Sequence, residues 1–201
     1  MPSRKRLTAD DWTIAALDAV AEGGLSAIAI EPLAVRLGST KGSFYWHFSG
    51  RDALIVATLE LWERLDTEEV IAEIAEVPVG VPRLRALLFG AVESRSERGA
   101  RVELALQASA QHPLVAPLLA RVTRRRLDYL AEQFTAIGFD ADEARQRAQL
   151  AYTGYLGIAQ LAHATPAEAD LSPDYLETML DVLVSPAPRR QSARTGHHEG
   201  N

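Results

Sequence analysis

Polar and aromatic side chains that can contact nucleic acid cluster in the segment Leu33–Phe48, which reads LAVRLGSTKGSFYWHF. Its apolar spacing predicts two short helices, about Ile30–Leu37 and Lys41–Phe48, joined by a turn at Gly38. The Thr40 hydroxyl is expected to cap the second helix. Two short helices joined in this way form a helix-turn-helix, whose second helix enters the major groove of DNA.

The second predicted helix has two faces when its residues are spaced at about 100°. Phe44 and Phe48 share one face and are expected to be core contacts. The alternative is that the run Phe44–Phe48 is an aromatic core strip, but five successive residues cannot all point inward on a helix. Groups suited to phosphates or base edges remain on the other surfaces. They are Thr40, Lys41, Gly42, Ser43, Tyr45, Trp46 and His47.

Four short blocks in the first 61 residues match one known domain. They are Ala15-Ala16-Leu17, Leu33-Ala34 before Leu37-Gly38, Phe44-Tyr45-x-His47-Phe48, and Ser49-Gly50-Arg51-Asp52-Ala53-Leu54. With these blocks, the segment from Thr8 to Leu61 resembles the DNA-binding domain of the TetR family of transcriptional regulators. The resemblance implies that Tyr45 and Arg51 hold the DNA backbone. It also implies base contacts from Lys41, Gly42, Ser43 and Trp46.

The same resemblance implies an all-α fold. A three-helix DNA-binding domain with the helix-turn-helix is expected over residues 8–54, followed by a larger helical domain for ligand binding and dimerisation over residues 55–185. Residues 186–201 are polar and are predicted to be a disordered tail. The implied function is a homodimeric repressor that a small apolar effector releases from a near-palindromic, double-stranded operator. The alternative is a helical small-molecule carrier, or an architectural DNA-binding protein without a specific operator.

Composition and charge agree with a protein that contacts DNA at one end. The 201 residues carry a formal net charge of −6 and contain no cysteine, which excludes disulfides and thiolate metal sites. Residues 1–51 hold 6 basic and 5 acidic side chains (+1), whereas residues 52–201 hold 15 and 22 (−7). No window is apolar enough to span a bilayer and no signal-peptide core is evident, so we expect a cytoplasmic protein without membrane contact.

Enzymatic signatures are missing from the sequence. It contains no glycine-rich phosphate loop, no nucleophile elbow and no His-Glu-x-x-His motif. No glutamate has a histidine three residues later, as a di-iron helical bundle requires. We therefore expect no enzyme, no metal site and no cofactor.

The rest of the chain is predicted to be helical. Ser49 is expected to cap a long helix that runs to about Glu76, with Asp52 as its capping-box partner. The helices that follow are predicted at about 82–97, 102–110, 113–137, 141–164 and 173–184. Thr8 with Asp11 and Ser172 with Pro173 are the clearest helix-start signals.

Aromatic and apolar side chains of the body are candidates for the wall of an effector pocket, although for any single one of them ordinary core packing is the favoured alternative. These are Trp62, Phe89, Leu106, His112, Tyr129, Phe134, Tyr152 and Tyr155.

Small residues and a leucine stripe on the last two helices favour a dimer interface, because two such hairpins can pair into a four-helix bundle. The alternative is that both helices pack within one chain. The residues concerned are Gly154, Gly157, Leu176, Met179, Leu180 and Leu183.

Three charged features admit more than one interpretation. Arg4-Lys5-Arg6 is either an arm that touches DNA or a solvated terminus. Glu31 departs from the family pattern and would repel phosphate if it faced DNA, in which case Ser26 or Arg36 takes over that contact. Arg124-Arg125-Arg126 is interpreted as a solvated face rather than a second nucleic-acid site.

Overall fold

The computed structural model describes residues 7–93 and 97–186, and the chain is all-α as predicted. Ten α-helices are found in the described residues: α1 Ala9–Gly23, α2 Ile30–Arg36, α3 Lys41–Phe44, α4 Arg51–Glu63, α5 Glu69–Glu73, α6 Val81–Glu93, α7 Glu97–Ala108, α8 Val115–Ile137, α9 Ala141–Ala164 and α10 Pro173–Val184. A 3-10 turn, Leu25–Ala27, follows α1. The predicted arm and most of the predicted tail lie outside the described residues.

Helices with strong local start and stop signals begin and end where the sequence predicts. The Thr8 hydroxyl accepts a hydrogen bond from the Asp11 amide, and the Asp11 carboxylate accepts one from Thr8, so the predicted capping box is confirmed. Ser172 caps α10 by accepting from the Tyr175 amide at 3.3 Å. Gly138 ends α8 with a left-handed φ of 109°, which favours glycine.

The start of α4 corrects one prediction. Ser49 does not cap this helix; the N-cap is Gly50, and no side-chain hydrogen bond caps it. Instead, the Gly50 carbonyl accepts from the Leu54 amide at 3.3 Å. The capping pattern of Ser49 and Asp52 was present, but the boundary lies one residue later.

The long helix predicted to reach Glu76 is interrupted by a π-helical turn, Arg64–Glu68, which joins α4 to α5. Its mark is a hydrogen bond from the Glu69 amide to the Arg64 carbonyl, five residues earlier. Such turns are rare and often occur at functional sites. Two helix starts also shift, since α7 begins at Glu97 and α8 begins at Val115.

The N-terminal helices share a continuous core with the body. Trp12 of α1 and Trp62 of α4 are fully buried in the same apolar cluster as Val102 of α7 and Leu118 of α8. An ion pair between Arg98 Nη1 and Asp18 Oδ1, 3.1 Å apart, also joins α7 to α1. A second cluster forms between α6, α8, α9 and α10. The N-terminal helices are therefore packed directly onto the body.

None of the helices in residues 7–93 and 97–186 has the length and hydropathy needed to cross a membrane.

Candidate DNA-binding surface and ligand cavity

The turn between α2 and α3 is built from the predicted residues. Gly38 adopts a φ of 60°, a left-handed conformation that costs other residues energy. The Ser39 amide then donates to the Ala34 carbonyl at 2.8 Å, and the Thr40 hydroxyl caps α3 by accepting from the Ser43 amide at 3.2 Å. The chain is thereby redirected within a few residues, and α3 contacts α2.

The recognition helix is shorter than predicted. The α-helix covers only Lys41–Phe44, and residues 45–47 continue as turns, closed by bonds from the His47 and Phe48 amides to the Phe44 carbonyl at 2.9 and 3.0 Å. Phe44 and Phe48 are nevertheless both buried in the core, as expected. Their rings stack at 5.5 Å, and the Phe44 ring packs edge-on against Trp12 at 5.3 Å.

The opposite side of this segment is open to solvent. Trp46 is 81% exposed and Tyr45 is 52% exposed, in contrast to Phe44, which is fully buried. Thr40, Lys41 and Gly42 are exposed beside them, and Ser43 and His47 are half-buried. The predicted division is therefore found, with Phe44 and Phe48 buried and Tyr45 and Trp46 exposed.

Lys41 is held by an ion pair. Its Nζ lies 2.5 Å from the Oε1 of Glu31 in the first turn of α2. The hydrogen bond and the negative charge of Glu31 raise the pKa of Lys41, and the hydrogen bond from Lys41 lowers the pKa of Glu31. Both side chains are more than half exposed. The carboxylate that departs from the family pattern is thus the partner of the predicted base-contacting lysine.

Arg51 is occupied within the chain. Its Nε donates to the Ile28 carbonyl at 2.6 Å, and its Nη2 donates to the Leu25 carbonyl at 2.9 Å. These bonds tie the start of α4 to the turn before α2. The resemblance implies a phosphate contact by Arg51. That contact would have to use the part of the guanidinium that these two hydrogen bonds leave unused.

Val35 is an exposed residue that sequence reasoning missed. It is 80% exposed on α2, three residues before Gly38. Leu33 and Ala34 make the core contacts of α2, and Val35 is left facing solvent. An apolar residue type alone does not reveal such an exposed position.

The body contains a cavity of about 520 Å³. Its wall comes from the π-helical turn and helices α5 to α10, with Leu17 of α1. Most of the lining is apolar, including Leu84, Leu87, Leu88, Leu130, Leu180 and Leu183. A volume of this size and an apolar wall with few polar groups are typical of small-molecule sites.

Only some of the predicted pocket residues line this cavity. Tyr129, Tyr152 and Tyr155 do, and the last two stack at 6.0 Å. Five others are elsewhere: Trp62, Leu106 and Phe134 are buried in the core, Phe89 packs under the Arg85 guanidinium, and His112 lies at the turn before α8. The Nδ1 of His112 accepts a hydrogen bond from the Leu114 amide at 3.2 Å, so its role there is to hold that turn.

Arg126 overturns the interpretation of the arginine run as a solvated face. Its guanidinium is buried in the cavity wall and lies 2.8 Å from Glu103, which is 1% exposed. Its Nε donates to the Thr67 hydroxyl at 2.9 Å and its Nη2 to the Asp66 carbonyl at 3.1 Å. Burial alone would lower the pKa of Arg126, but the charge and hydrogen bond of Glu103 outweigh it and keep the pKa raised.

The predicted dimer-interface residues separate into two groups. Leu176, Leu180 and Leu183 are buried within their own chain, so the alternative of intramolecular packing holds for this stripe. Gly154 packs against Met179 of α10, so closely that a Cβ at Gly154 would lie 2.3 Å from the Met179 Cε. Gly157, by contrast, faces open space.

A different face of the last two helices is free. Leu150 and Leu161 of α9 are 63% and 49% exposed, and Val182 of α10 is 70% exposed. These three residues and Gly157 are called here the outer face. A strip at i, i+7 and i+11 along α9 lies on one side of that helix.

Residues 14–58 match the family described as bacterial regulatory proteins, tetR family. A transcriptional regulator from Rhodococcus sp. Rha1 is similar in structure, with a TM-score of 0.72, 26% identity, and coverage of 89% of this chain and 94% of that one. Among curated proteins, none matches this chain.

Two further solved structures share the fold at lower identity. A transcriptional regulator from Saccharomonospora viridis in complex with choline has a TM-score of 0.72 and 16% identity, over 87% of this chain and 92% of its own. The regulator FadR from Bacillus subtilis in complex with stearoyl-CoA has a TM-score of 0.70 and 17% identity, over 89% and 98%.

Proposed function

Since this chain belongs to the tetR family of bacterial regulatory proteins and is a DNA-binding transcriptional regulator, we propose that it is a homodimeric repressor. It binds a near-palindromic operator in the cytoplasm, and a small, mostly apolar molecule releases it. The observation that carries this proposal is a single helical path, Arg51–Glu73, that begins at the DNA-binding end and forms part of the cavity wall at its other end.

The DNA-contacting set lies between Thr40 and His47, excluding the core residue Phe44; Ser43 and His47 are half-buried and its other members are exposed. Lys41 and Ser43 are suited to phosphate or base edges, and Tyr45 offers a phenol to phosphate and a ring to a thymine methyl. Trp46 is almost fully exposed. Such a large exposed apolar side chain is typical of a binding surface. Gly42 allows a close approach of the backbone.

The acidic partner of Lys41 should weaken DNA binding, because phosphate has to compete with Glu31 for the ammonium group. We expect Glu31→Gln to tighten operator binding and to make its salt dependence steeper by about one unit of log K per log salt, since one more cation neutralises phosphate. Glu177→Gln is the matched control, because Glu177 pairs with Arg85 within the body, away from the DNA-contacting set in the chain. Equal salt slopes for Glu31→Gln and wild type would contradict this role.

A dimer is needed because one short recognition segment reads few base pairs, and half-sites lie about 34 Å apart, one turn of DNA. The outer face supplies an apolar surface for a second copy of the chain. Buried leucines behind it make α9 and α10 a firm support.

Assembly can be tested at Gly157, where a side chain would meet open space within the monomer. We expect Gly157→Trp to leave the fold intact and to block close approach of the partner helix, giving a monomer with weak operator binding. Ala136→Trp, at an exposed position of α8, is the control. Light scattering is the measurement, and a monomeric wild-type protein at micromolar concentration would end the proposal.

The route from cavity to DNA passes through the π-helical turn. Leu65, Asp66 and Thr67 of this turn line the cavity, and Arg126 holds two of them from α8. A ligand that shifts this turn moves α4, and with it the separation of the two recognition segments in a dimer. The ligand acts only through its different affinities for the two arrangements.

Reciprocity supplies the experiment for this regulation. A ligand that weakens DNA binding by a given factor must itself be bound more weakly, by the same factor, when operator DNA is saturating. A coupling of about 1–3 kcal/mol is typical. Equal ligand affinity for free and operator-bound protein would exclude induction and favour a constitutive or corepressor-dependent regulator. The choline and stearoyl-CoA complexes of the two relatives support small-molecule binding in this fold, but they differ too much in chemistry to suggest one ligand.

A further inference from the structure

The positive charges of the cavity wall are already matched. Two arginines lie among the described lining residues, Arg98 and Arg126. Arg98 pairs with Asp18 and Arg126 pairs with Glu103. The second oxygen of Glu103 accepts from Gln107 Nε2 at 3.0 Å, so this buried carboxylate is fully occupied. A ligand carboxylate or phosphate would have to break one of these pairs to find a cation.

The acidic residues of the described wall offer a ligand cation little stabilisation. Asp66 already takes part in an interaction within the chain. Glu73 is exposed to solvent, where water and salt screen its attraction. A ligand cation would also lie near the buried Arg126 guanidinium. Burying an unpaired ion of either sign in an apolar cavity is costly.

One neutral polar group of the wall lacks a partner. Tyr129 lines the cavity and is 7% exposed, and its hydroxyl makes no hydrogen bond to any described residue. The hydroxyl oxygen itself has almost no accessible surface, so a ligand atom reaches it only when the side chains that cover it move. A buried hydroxyl without a partner is rare, since it loses its bonds to water and gains none. The hydroxyl of Tyr152, on the same wall, is 3.5 Å from the Thr123 hydroxyl, at the limit of a hydrogen bond.

We propose that the cavity takes an uncharged, largely apolar molecule that bears a carbonyl or hydroxyl group, and that the Tyr129 hydroxyl bonds to that group. This inference rests on the proposed function, because it names the class of effector for the same cavity. The leucines of the wall cover the apolar part of the molecule. Tyr129 determines specificity because its hydroxyl offers a hydrogen bond to one polar atom of the ligand. The two arginines of the wall already have acidic partners, so a charged ligand gains no ion pair.

The test measures the binding of three probes to the full-length protein: 2-decanone, decanoate and decyltrimethylammonium. Their alkyl chains are similar in length, and their head groups differ in charge. Calorimetric titration below the micellar concentration should give the tightest binding for 2-decanone, with each ion weaker by about tenfold or more because its charge must be buried without a partner. Thermal shift gives an independent ranking.

The matched variants are Tyr129→Phe and Tyr175→Phe. Both remove one hydroxyl, but Tyr175 lies on α10 outside the cavity wall. Tyr129→Phe should lower the affinity for 2-decanone about 2- to 12-fold, the value of one net hydrogen bond. It should leave the melting temperature of the free protein unchanged or raised, since it deletes an unpaired buried group. Tyr175→Phe should change neither quantity.

Each contrary outcome has a distinct meaning. Preferential binding of decanoate or decyltrimethylammonium would overturn the uncharged class while leaving the cavity as a ligand site. Unchanged 2-decanone affinity in Tyr129→Phe would overturn the role of its hydroxyl. Binding of none of the three probes at millimolar concentration would contradict the proposed effector site, and this inference would fall with it.

Discussion

Arg126→Ala is expected to destabilise the protein by about 3–5 kcal/mol, because it leaves the buried Glu103 carboxylate without its cation. Arg124→Ala, two residues earlier in the same arginine run and exposed to solvent, should change stability by no more than about 0.5 kcal/mol. Chemical denaturation of the two variants measures the contrast.

The double variant Arg126→Met with Glu103→Leu separates charge from packing. Replacing both partners by apolar side chains removes the ion pair without leaving a charge buried, so most of the lost stability should return. The contacts from Arg126 to the Asp66 carbonyl and the Thr67 hydroxyl are still missing in this variant. We therefore expect restored stability with weakened ligand control of DNA binding. Equal stability of the Arg124→Ala and Arg126→Ala variants would contradict the buried pair.

Tyr45→Ala is expected to weaken operator binding by about 1–3 kcal/mol while leaving the melting temperature unchanged, because Tyr45 is half exposed and contributes little to the core. Its neighbour Phe44 is fully buried against Trp12. Phe44→Ala should therefore destabilise the protein by about 3–5 kcal/mol. Adjacent residues of one short segment thus have opposite roles.

Tyr45→Phe divides the role of this residue further. It keeps the ring and removes the hydroxyl, so it should lose the phosphate contact and retain apolar contact with a thymine methyl. Wild-type operator affinity in the Tyr45→Ala variant, measured by fluorescence anisotropy, would remove Tyr45 from the DNA-binding surface.

The parts of the fold that the sequence predicts are those encoded by neighbouring residues. Thr8 and Ser172 cap their helices through bonds to residues three positions later, and Gly138 ends α8 through its own backbone freedom. Phe44, Tyr45 and Trp46 divide between core and solvent as the helical period requires. Each of these features depends on spacing within a few residues.

The parts that it does not predict depend on partners distant in the chain. Arg126 resembles Arg124 in sequence, and only its distance from Glu103, 23 residues away, makes it a buried ion pair. The π-helical turn is held by this same arginine, about 60 residues later. The leucine stripe of α10 is correctly predicted to need cover, but pattern alone cannot tell whether its own chain or a second copy supplies it.

The DNA-binding claim is tested most directly by selecting sequences from a pool of random DNA duplexes with the full-length protein, followed by footprinting of the enriched site. We predict a short near-palindrome with half-sites about one helical turn apart, whose protection is lost in the Tyr45→Ala variant. Enrichment of no sequence, or uniform protection along any duplex, would contradict a specific operator. An absence of DNA binding would favour the small-molecule carrier, and uniform binding would favour the architectural protein.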